Sequence, residues 1–265
     1  MRILTWNMWW RFGPWERRRD AVLAWLRRER PDVCGLQEVW AAGDGNLARW
    51  LADELGMHWA FAAGEVMPHW RARVRSPALD TGVGVAVLSR WPITGTAVMR
   101  LPTDGAPERL RPALFARIDA GPYEVPFFTT HLHSSDDGTA VRRAQLDALG
   151  RFVAGRRGAG PFPPVVTGDF NAEPDSPEVR GFGAPHGLVD AWTRAAPDSP
   201  GATRQARNPY RPGPGARDAR IDYIHTGAPG PAGQGRVTAV RRTGDGPVDG
   251  VWPSDHAAVV ADLAG

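Results

Sequence analysis

The chain has 265 residues, 42% hydrophobic and 23% charged, the make-up of a globular protein long enough to bury most of its apolar surface unaided. Its one cysteine, Cys34, excludes an intramolecular disulfide framework and argues against a Cys-based zinc site. The 32 basic residues are all arginine and outnumber the 29 acidic ones by a net of +3, too little to demand a polyanionic partner.

In chain order, residues 2–6 read as a buried strand with none of the apolar core of a signal peptide. Pro14 suits the first turn of a helix that places Trp15, Val22, Leu23 and Leu26 on one face. Pro31 ends that helix, and residues 33–36 form the next strand. A second helix carries Leu47, Trp50, Leu51 and Leu55 in one stripe and stops at Gly56. Further strands are expected at 83–88, 114–118, 125–130, 165–167, 221–225 and 257–263. A third helix over 139–156 turns Leu146, Leu149 and Val153 inward. The stretches 198–218 and 226–235, rich in Pro, Gly, Arg and Asn, read as long loops, and long loops in a compact domain are often functional. There is no internal repeat, heptad array or linker, so the expectation is one domain over 1–265. No apolar run approaches the roughly 20 residues of a membrane span, and a cytoplasmic protein is expected.

The informative feature is what stands at the strand ends. Asn7 follows the first strand, and Glu38 ends the run Val33-Cys34-Gly35-Leu36-Gln37. His131 and His133 follow Phe127-Phe128-Thr129-Thr130, and Asp169 and Asn171 follow Val165-Val166-Thr167-Gly168. Asp222 is embedded in Ile221-Asp222-Tyr223-Ile224, and Asp255-His256 precedes Ala257-Ala258-Val259-Val260. Each alone has an ordinary explanation as a turn residue, a cap or a solvated strand end. Asp222 is the exception, because a carboxylate between apolar neighbours needs a partner. Six strands with such termini build a site where strand ends converge. Oxygen-rich ligands without cysteine select Mg²⁺ or Mn²⁺ over zinc, and imidazoles beside carboxylates supply proton carriers and phosphate-stabilising donors. An Asp two residues before an Asn, in extended geometry, points both side chains to one side. Together these features suggest metal-assisted hydrolysis at a phosphorus centre.

Seven segments in order carry a resemblance: Thr5-Trp6-Asn7, Leu36-Gln37-Glu38, Gly84-Val85-Ala86-Val87-Leu88-Ser89-Arg90, Thr130-His131-Leu132, Gly168-Asp169-Phe170-Asn171, Arg220-Ile221-Asp222-Tyr223-Ile224 and Ser254-Asp255-His256. They resemble the motifs of the endonuclease/exonuclease/phosphatase superfamily, the DNase I-like metal-dependent phosphoesterases, from Asn7 to His256. The resemblance implies an α/β fold, a four-layer sandwich of two mixed, mainly antiparallel sheets packed face to face with helices outside. It implies Asn7, Glu38 and Asp255 as residues of a Mg²⁺ or Mn²⁺ site. Asp169 resembles the carboxylate that positions or deprotonates the attacking water, with Asn171 on a phosphate oxygen or the metal. His256 resembles the imidazole on the scissile phosphate, and Asp222 the buried partner that orients it. His131 matches the T-H-L histidine. Members matching the L-H-S step would select His133 instead, and both share a strand face; His131 is preferred. Two positions depart from the abasic-site endonucleases, with Trp9 in place of an Asp and Gly82 in place of a Tyr.

The implied activity is metal-dependent cleavage of a phosphoester, first of all a phosphodiester, by an activated water. A phosphomonoesterase on a small or lipid-derived phosphate and a non-catalytic phosphate-binding relative remain as alternatives. The substrate stays open among nucleic acid, phospholipid, nucleotide and sugar phosphate, as do the number of metals and the oligomeric state. Trp6, Trp9, Trp10, Trp40 and Trp70 cluster near the site loops, where core packing or a stacking platform would each account for them. Arg71, Arg73 and Arg75 alternate with small or apolar residues, either as a solvated edge or as a phosphate-binding stripe. Cys34, inside an apolar run, is expected in the core.

Overall fold

A computed structural model describes residues 1–43, 45–73, 81–103, 105, 110–211, 213 and 216–265. One sheet contains β1 (Arg2–Asn7), β2 (Val33–Ala42), β4 (His58–Gly64), β5 (Gly82–Ser89), β12 (Val237–Thr243) and β13 (Ala258–Leu263), with the short β3 (Gly45–Asn46) beside β2. The other contains β6 (Ile93–Arg100), β7 (Pro112–Asp119), β8 (Glu124–His131), β9 (Val165–Asp169), β10 (Leu188–Asp190) and β11 (Asp222–Gly227). The first runs β12-β13-β1-β2-β5-β4 and the second β10-β11-β9-β8-β7-β6. Each sheet has one parallel pair at its centre, β1 with β2 and β8 with β9, and every other pairing is antiparallel. A parallel pair needs a crossover. Helix α1 (Trp15–Glu29) makes the first and α4 (Thr139–Arg156) the second. The remaining helices are α2 (Leu47–Leu55), α3 (Pro68–Arg73), α5 (Pro177–Phe182) and α6 (Ala191–Ala195).

Period-two alternation sorts the side chains into three apolar layers. Leu4, Cys34, Leu36, Ala86 and Val260 pack outward against Val22, Leu23 and Leu26 of α1 and Leu47 and Leu51 of α2. Ile3, Val33, Val85, Val87, Leu114, Phe127, Val165 and Val259 fill the space between the sheets. Phe115, Phe128, Val166 and Tyr223 pack outward against Leu146, Leu149 and Val153 of α4. This is the expected four-layer sandwich. Helix α2 begins at Asn46, whose Oδ1 accepts from Ala48 N at 2.8 Å and Arg49 N at 3.3 Å, and ends at Gly56 with φ +64°.

The strands the sequence left unassigned include β4, β6, β10 and β12, the four outer strands of the two sheets. β6 alternates half-buried and exposed residues along its whole length, so it lacks the continuous apolar run that marks an interior strand. Arg71 and Arg73 lie on the helical turn α3, not on an extended edge, and both are exposed. Arg75 lies outside the described residues. Cys34 is fully buried. Among the described residues no helix is long and apolar enough to cross a membrane.

Towards one end, the space between the sheets turns polar. Gln37 Nε2 donates to Thr5 Oγ1 at 3.1 Å, Gly35 O at 3.1 Å and Thr129 Oγ1 at 3.0 Å. The sheets meet tightly at Gly35, where a Cβ would lie 2.0 Å from Thr167 Oγ1; only glycine fits there.

His225 on β11 is buried in the outer layer, stacked at 5.4 Å on Phe170 and edge-on to Phe182 at 5.2 Å. Burial lowers its pKa from 6.5 to about 4, with Asp190 opposing and Arg220 reinforcing. The native state therefore stays neutral while the unfolded chain takes up a proton below pH 6.5. The associated stability is present above pH 6.5 and is lost as the pH falls through about 4. Between pH 7 and pH 4 the wild type should lose about 3 kcal/mol more than His225→Gln in urea unfolding. Parallel pH profiles for the two proteins would remove His225 as the cause.

Candidate active site

Three central strands repeat one inward pattern: an apolar residue, a threonine, then a functional side chain. The pattern is Ile3-Thr5-Asn7 on β1, Phe127-Thr129-His131 on β8 and Val165-Thr167-Asp169 on β9. The parallel pairs set Asn7 beside Gln37 and His131 beside Asp169. The antiparallel neighbours start at the same end, with Asp222 opposite Asp169 and His256 just before β13. Strict alternation would turn Glu38 to the helix-covered face with Leu36. The register shift between Leu36 and Val39 and a φ of +51° at Glu38 bring it back to Asn7.

Asn7 Nδ2 is the hub, donating to Glu38 Oε1 at 3.0 Å and to Asp169 Oδ2 at 2.9 Å. Asn7 Oδ1 accepts from Trp9 N at 2.9 Å. The same Asp169 Oδ2 lies 3.5 Å from His131 Nε2 and 3.8 Å from His256 Nε2. His256 Nδ1 meets Asp222 Oδ2 at 2.9 Å, the partner that the buried Asp222 required. Asn171 follows with φ +51°, so the Asp-x-Asn step is not extended as the sequence suggested. Its backbone N–H donates to Asp169 Oδ1 at 2.9 Å, and its amide reaches His131 Nε2 at 2.9 Å and Leu132 O at 3.0 Å. Asp255 stands half-buried at the rim. The His133 backbone N–H donates to Gln145 Oε1 at 2.9 Å, and its ring lies against Gly138, where a Cβ would be 2.4 Å from Cδ2.

The electrostatics divide the two histidines. Burial works to lower the His256 pKa, but Asp222, Asp255 and Asp169 outweigh it and raise it to about 10. His256 is an imidazolium at neutral pH. Burial, Arg111 and His256 push His131 well below its ordinary value, so it is neutral. Burial, with Asp222 reinforcing, raises Asp169 to about 6. Burial and Asp255 raise Glu38 to about 7, against the Asn7 hydrogen bond.

Three contributors have no role assigned to them from the sequence. Arg111, buried before β7, sets Nη1 3.3 Å from His131 Nδ1 and Nη2 3.4 Å from Ser134 Oγ. Ser254 Oγ donates to Asn7 O at 2.6 Å and accepts from His256 N at 3.1 Å, tying two site loops together. Arg18 of α1, almost wholly buried, donates to the carbonyls of Met8, Trp9, Trp10, Phe12 and Pro253 at 2.8–3.0 Å. Nothing in the sequence separates these arginines from the other thirty. The five site-proximal tryptophans are buried and belong to the core beneath the outer face of the first sheet.

The profile of the Endonuclease/Exonuclease/phosphatase family matches residues 4–256. The chain belongs to that family. A candidate neutral sphingomyelinase of Caenorhabditis elegans is 31% identical over 215 residues, covering 72% of this chain and 46% of the relative. The inositol phosphosphingolipids phospholipase C of Saccharomyces cerevisiae is 27% identical over 175 residues, covering 61% and 34%. The chain thus spans less than half the length of these relatives. An endonuclease/exonuclease/phosphatase from Beutenbergia cavernae superposes with a TM-score of 0.74 at 27% identity, covering 99% of this chain and 71% of that one.

The endonuclease/exonuclease/phosphatase family is generally dependent on a divalent metal, and the residues present fit such an ion. Glu38 Oε2 and Asp255 Oδ1 are buried carboxylate oxygens with no hydrogen-bond partner among the described residues, a costly state that a cation relieves. Asp169, Asp222 and His256 also offer ligand atoms within 4.8 Å of one another. That group fits less well, because His256 Nδ1 is engaged by Asp222 and a protonated imidazole has no lone pair to give.

Proposed function

We propose that residues 1–265 act as one catalytic domain, a Mg²⁺- or Mn²⁺-dependent phosphodiesterase that cleaves its substrate by attack of water. The observation that carries this reading is Asp169 Oδ2, held by Asn7 and facing both His131 and the cationic His256 within 4 Å. Two of the relatives named above are a phospholipase C and a candidate sphingomyelinase, names that denote phosphodiester cleavage, which favours the diester.

Glu38, with Asn7 and Asp255, would hold the ion. When bound, such an ion polarises the phosphoryl oxygens and stabilises charge developing on them. Asp169, with a pKa raised to about 6, is the base that takes the proton of the attacking water. His256 donates to a non-bridging oxygen of the scissile phosphate, its charge and orientation fixed by Asp222. Asn171 and the neutral His131 supply further polar contacts to that phosphate, and Arg111 holds the His131 ring in place.

Hydrolysis of bis(p-nitrophenyl) phosphate with Mg²⁺ or Mn²⁺, compared with p-nitrophenyl phosphate, tests the reading. Turnover of the diester should exceed that of the monoester, cease in EDTA and return on adding metal. Glu38→Gln should raise the metal concentration for half-maximal rate by at least about tenfold, the usual effect of losing one ligand or its supporting bond. Undiminished activity in EDTA, or turnover of the monoester alone, would overturn it.

A further inference from the structure

Two clefts adjoin the candidate site, one at Asn171 and one at Asp255, and they share two arginines. One, of about 820 Å³, reaches from Asn171 and Ala172 to Arg204 and Arg211. The other, of about 490 Å³, lies between Trp9, Tyr210 and Asp255 and includes the same pair. Residues near 204 are fixed by the backbone. Arg204 N and O bond to Ala219 O and N, each at 2.9 Å, and Ala257 N bonds to Thr203 O at 2.7 Å. Arg204 is thereby bridged directly to His256.

The two guanidiniums differ from the others lining the larger cleft. Arg142 is paired with Glu178 at 2.8 Å, and Arg217 is paired with Glu173. Among the described residues Arg204 and Arg211 have no carboxylate in ion-pair contact. Arg204 Nε is buried without a hydrogen-bond partner, and Arg211 Nη1 reaches only the carbonyl of Arg217, at 3.3 Å. Burial and the neighbouring charge of Arg204 lower the Arg211 pKa, against the more distant carboxylates of Asp255 and Asp218, neither of which is in ion-pair contact with it. Two guanidiniums without an ion-pair partner, lining both clefts beside the candidate site, offer donors to an anion.

We propose that Arg204 and Arg211 form a second anion subsite that takes a second phosphoryl group of the substrate. The preferred substrates are then phosphodiesters that carry a further phosphate near the scissile one. A quaternary-ammonium head group would meet like charge at this place. The proposal rests on the phosphodiesterase reading for its position, but the contact it describes is testable without turnover.

The test is calorimetric titration with matched ligands that differ by one phosphate, in the presence of Mg²⁺. One pair is thymidine 3′,5′-bisphosphate against thymidine 5′-monophosphate, and the other is inositol 1,4-bisphosphate against inositol 1-phosphate. The second phosphate should tighten binding about 10- to 100-fold in at least one pair, the range for charge-assisted hydrogen bonds, and the responding pair identifies the scaffold. Arg204→Gln with Arg211→Gln should erase that difference, whereas Arg27→Gln, at an exposed pair with Glu54, should keep it. Kinetics on the p-nitrophenyl ester of thymidine 5′-phosphate, with and without a 3′-phosphate, should show the same preference in kcat/KM. A retained binding difference with no turnover of either ester would sink the phosphodiesterase reading and leave the subsite standing. Equal affinities within both pairs, or a difference that survives the double variant, would overturn the subsite whatever the turnover.

Discussion

Replacing His256 with alanine should lower kcat by about 10²–10⁴-fold, the scale for a lost proton donor or electrostatic group in a water-poor site. The expectation follows from the Nδ1 contact of 2.9 Å to Asp222, a carboxylate that is itself buried and bonded through Oδ2 to this ring. Asp222→Asn should cost a comparable factor, because an amide can present its N–H to the ring and so no longer fixes the tautomer or holds the charge. The double variant should be little worse than either single one, since the two side chains act as a unit. Steady-state kinetics on the three proteins decide this, and multiplicative losses would show that the pair is not coupled.

Arg18→Met should destabilise the fold by about 3–5 kcal/mol in denaturant unfolding, the scale of several buried acceptors left without a donor. Met fills the volume but leaves five carbonyl oxygens without their donor. Those carbonyls belong to the segment after Asn7 and to Pro253, just before Ser254-Asp255-His256. Trp9 and Trp10 there hold φ of +55° and +36°, a conformation that costs bulky side chains and persists only when the surroundings impose it. Burial lowers the Arg18 pKa to about 10, so the charge remains at neutral pH, where Asp255 and Glu38 favour it. Arg18→Lys should recover only part of the loss, because three ammonium donors cannot span five acceptors. A loss under 1 kcal/mol for the methionine variant would show that the loop holds its shape unaided.

Much of this architecture is visible in the residues because the interior of a sandwich imposes alternation. Ile3-Thr5-Asn7 and Val165-Thr167-Asp169 announce both the strand and the end at which its polar side chain emerges. Edge strands carry no such mark. β12, with Arg241 and Arg242 in its midst, reads as a polar stretch until β13 is placed beside it. Glu38 has the parity of an outward residue, and only the bulge, a property of the paired strands, explains its position. Arg111 and Arg18 were illegible for another reason. Their partners are a histidine ring twenty positions away and backbone carbonyls, four just before α1 and one at Pro253, and carbonyls have no sequence signature. Asn171 was found through its motif, but its left-handed backbone was not. Histidines 131 and 133 stand two apart in the sequence, but β8 ends at the first, which the register sets opposite Asp169, while the ring of the second lies against Gly138.

The hydrogen bonds that assemble the candidate site are also seams between the halves of the molecule. Asn7 belongs to one sheet and Asp169 to the other, and His256, just ahead of β13 in the first, meets Asp222 of the second. A chain with only one sheet formed would possess half of each contact and no chemistry. Selection on this centre therefore cannot tune reactivity alone, because every exchange at these four positions also alters how firmly the sheets are riveted. On the subsite proposed above, substrate choice can drift in the side chains of the loop around 204, which lies outside both sheets, while the rivets stay in place.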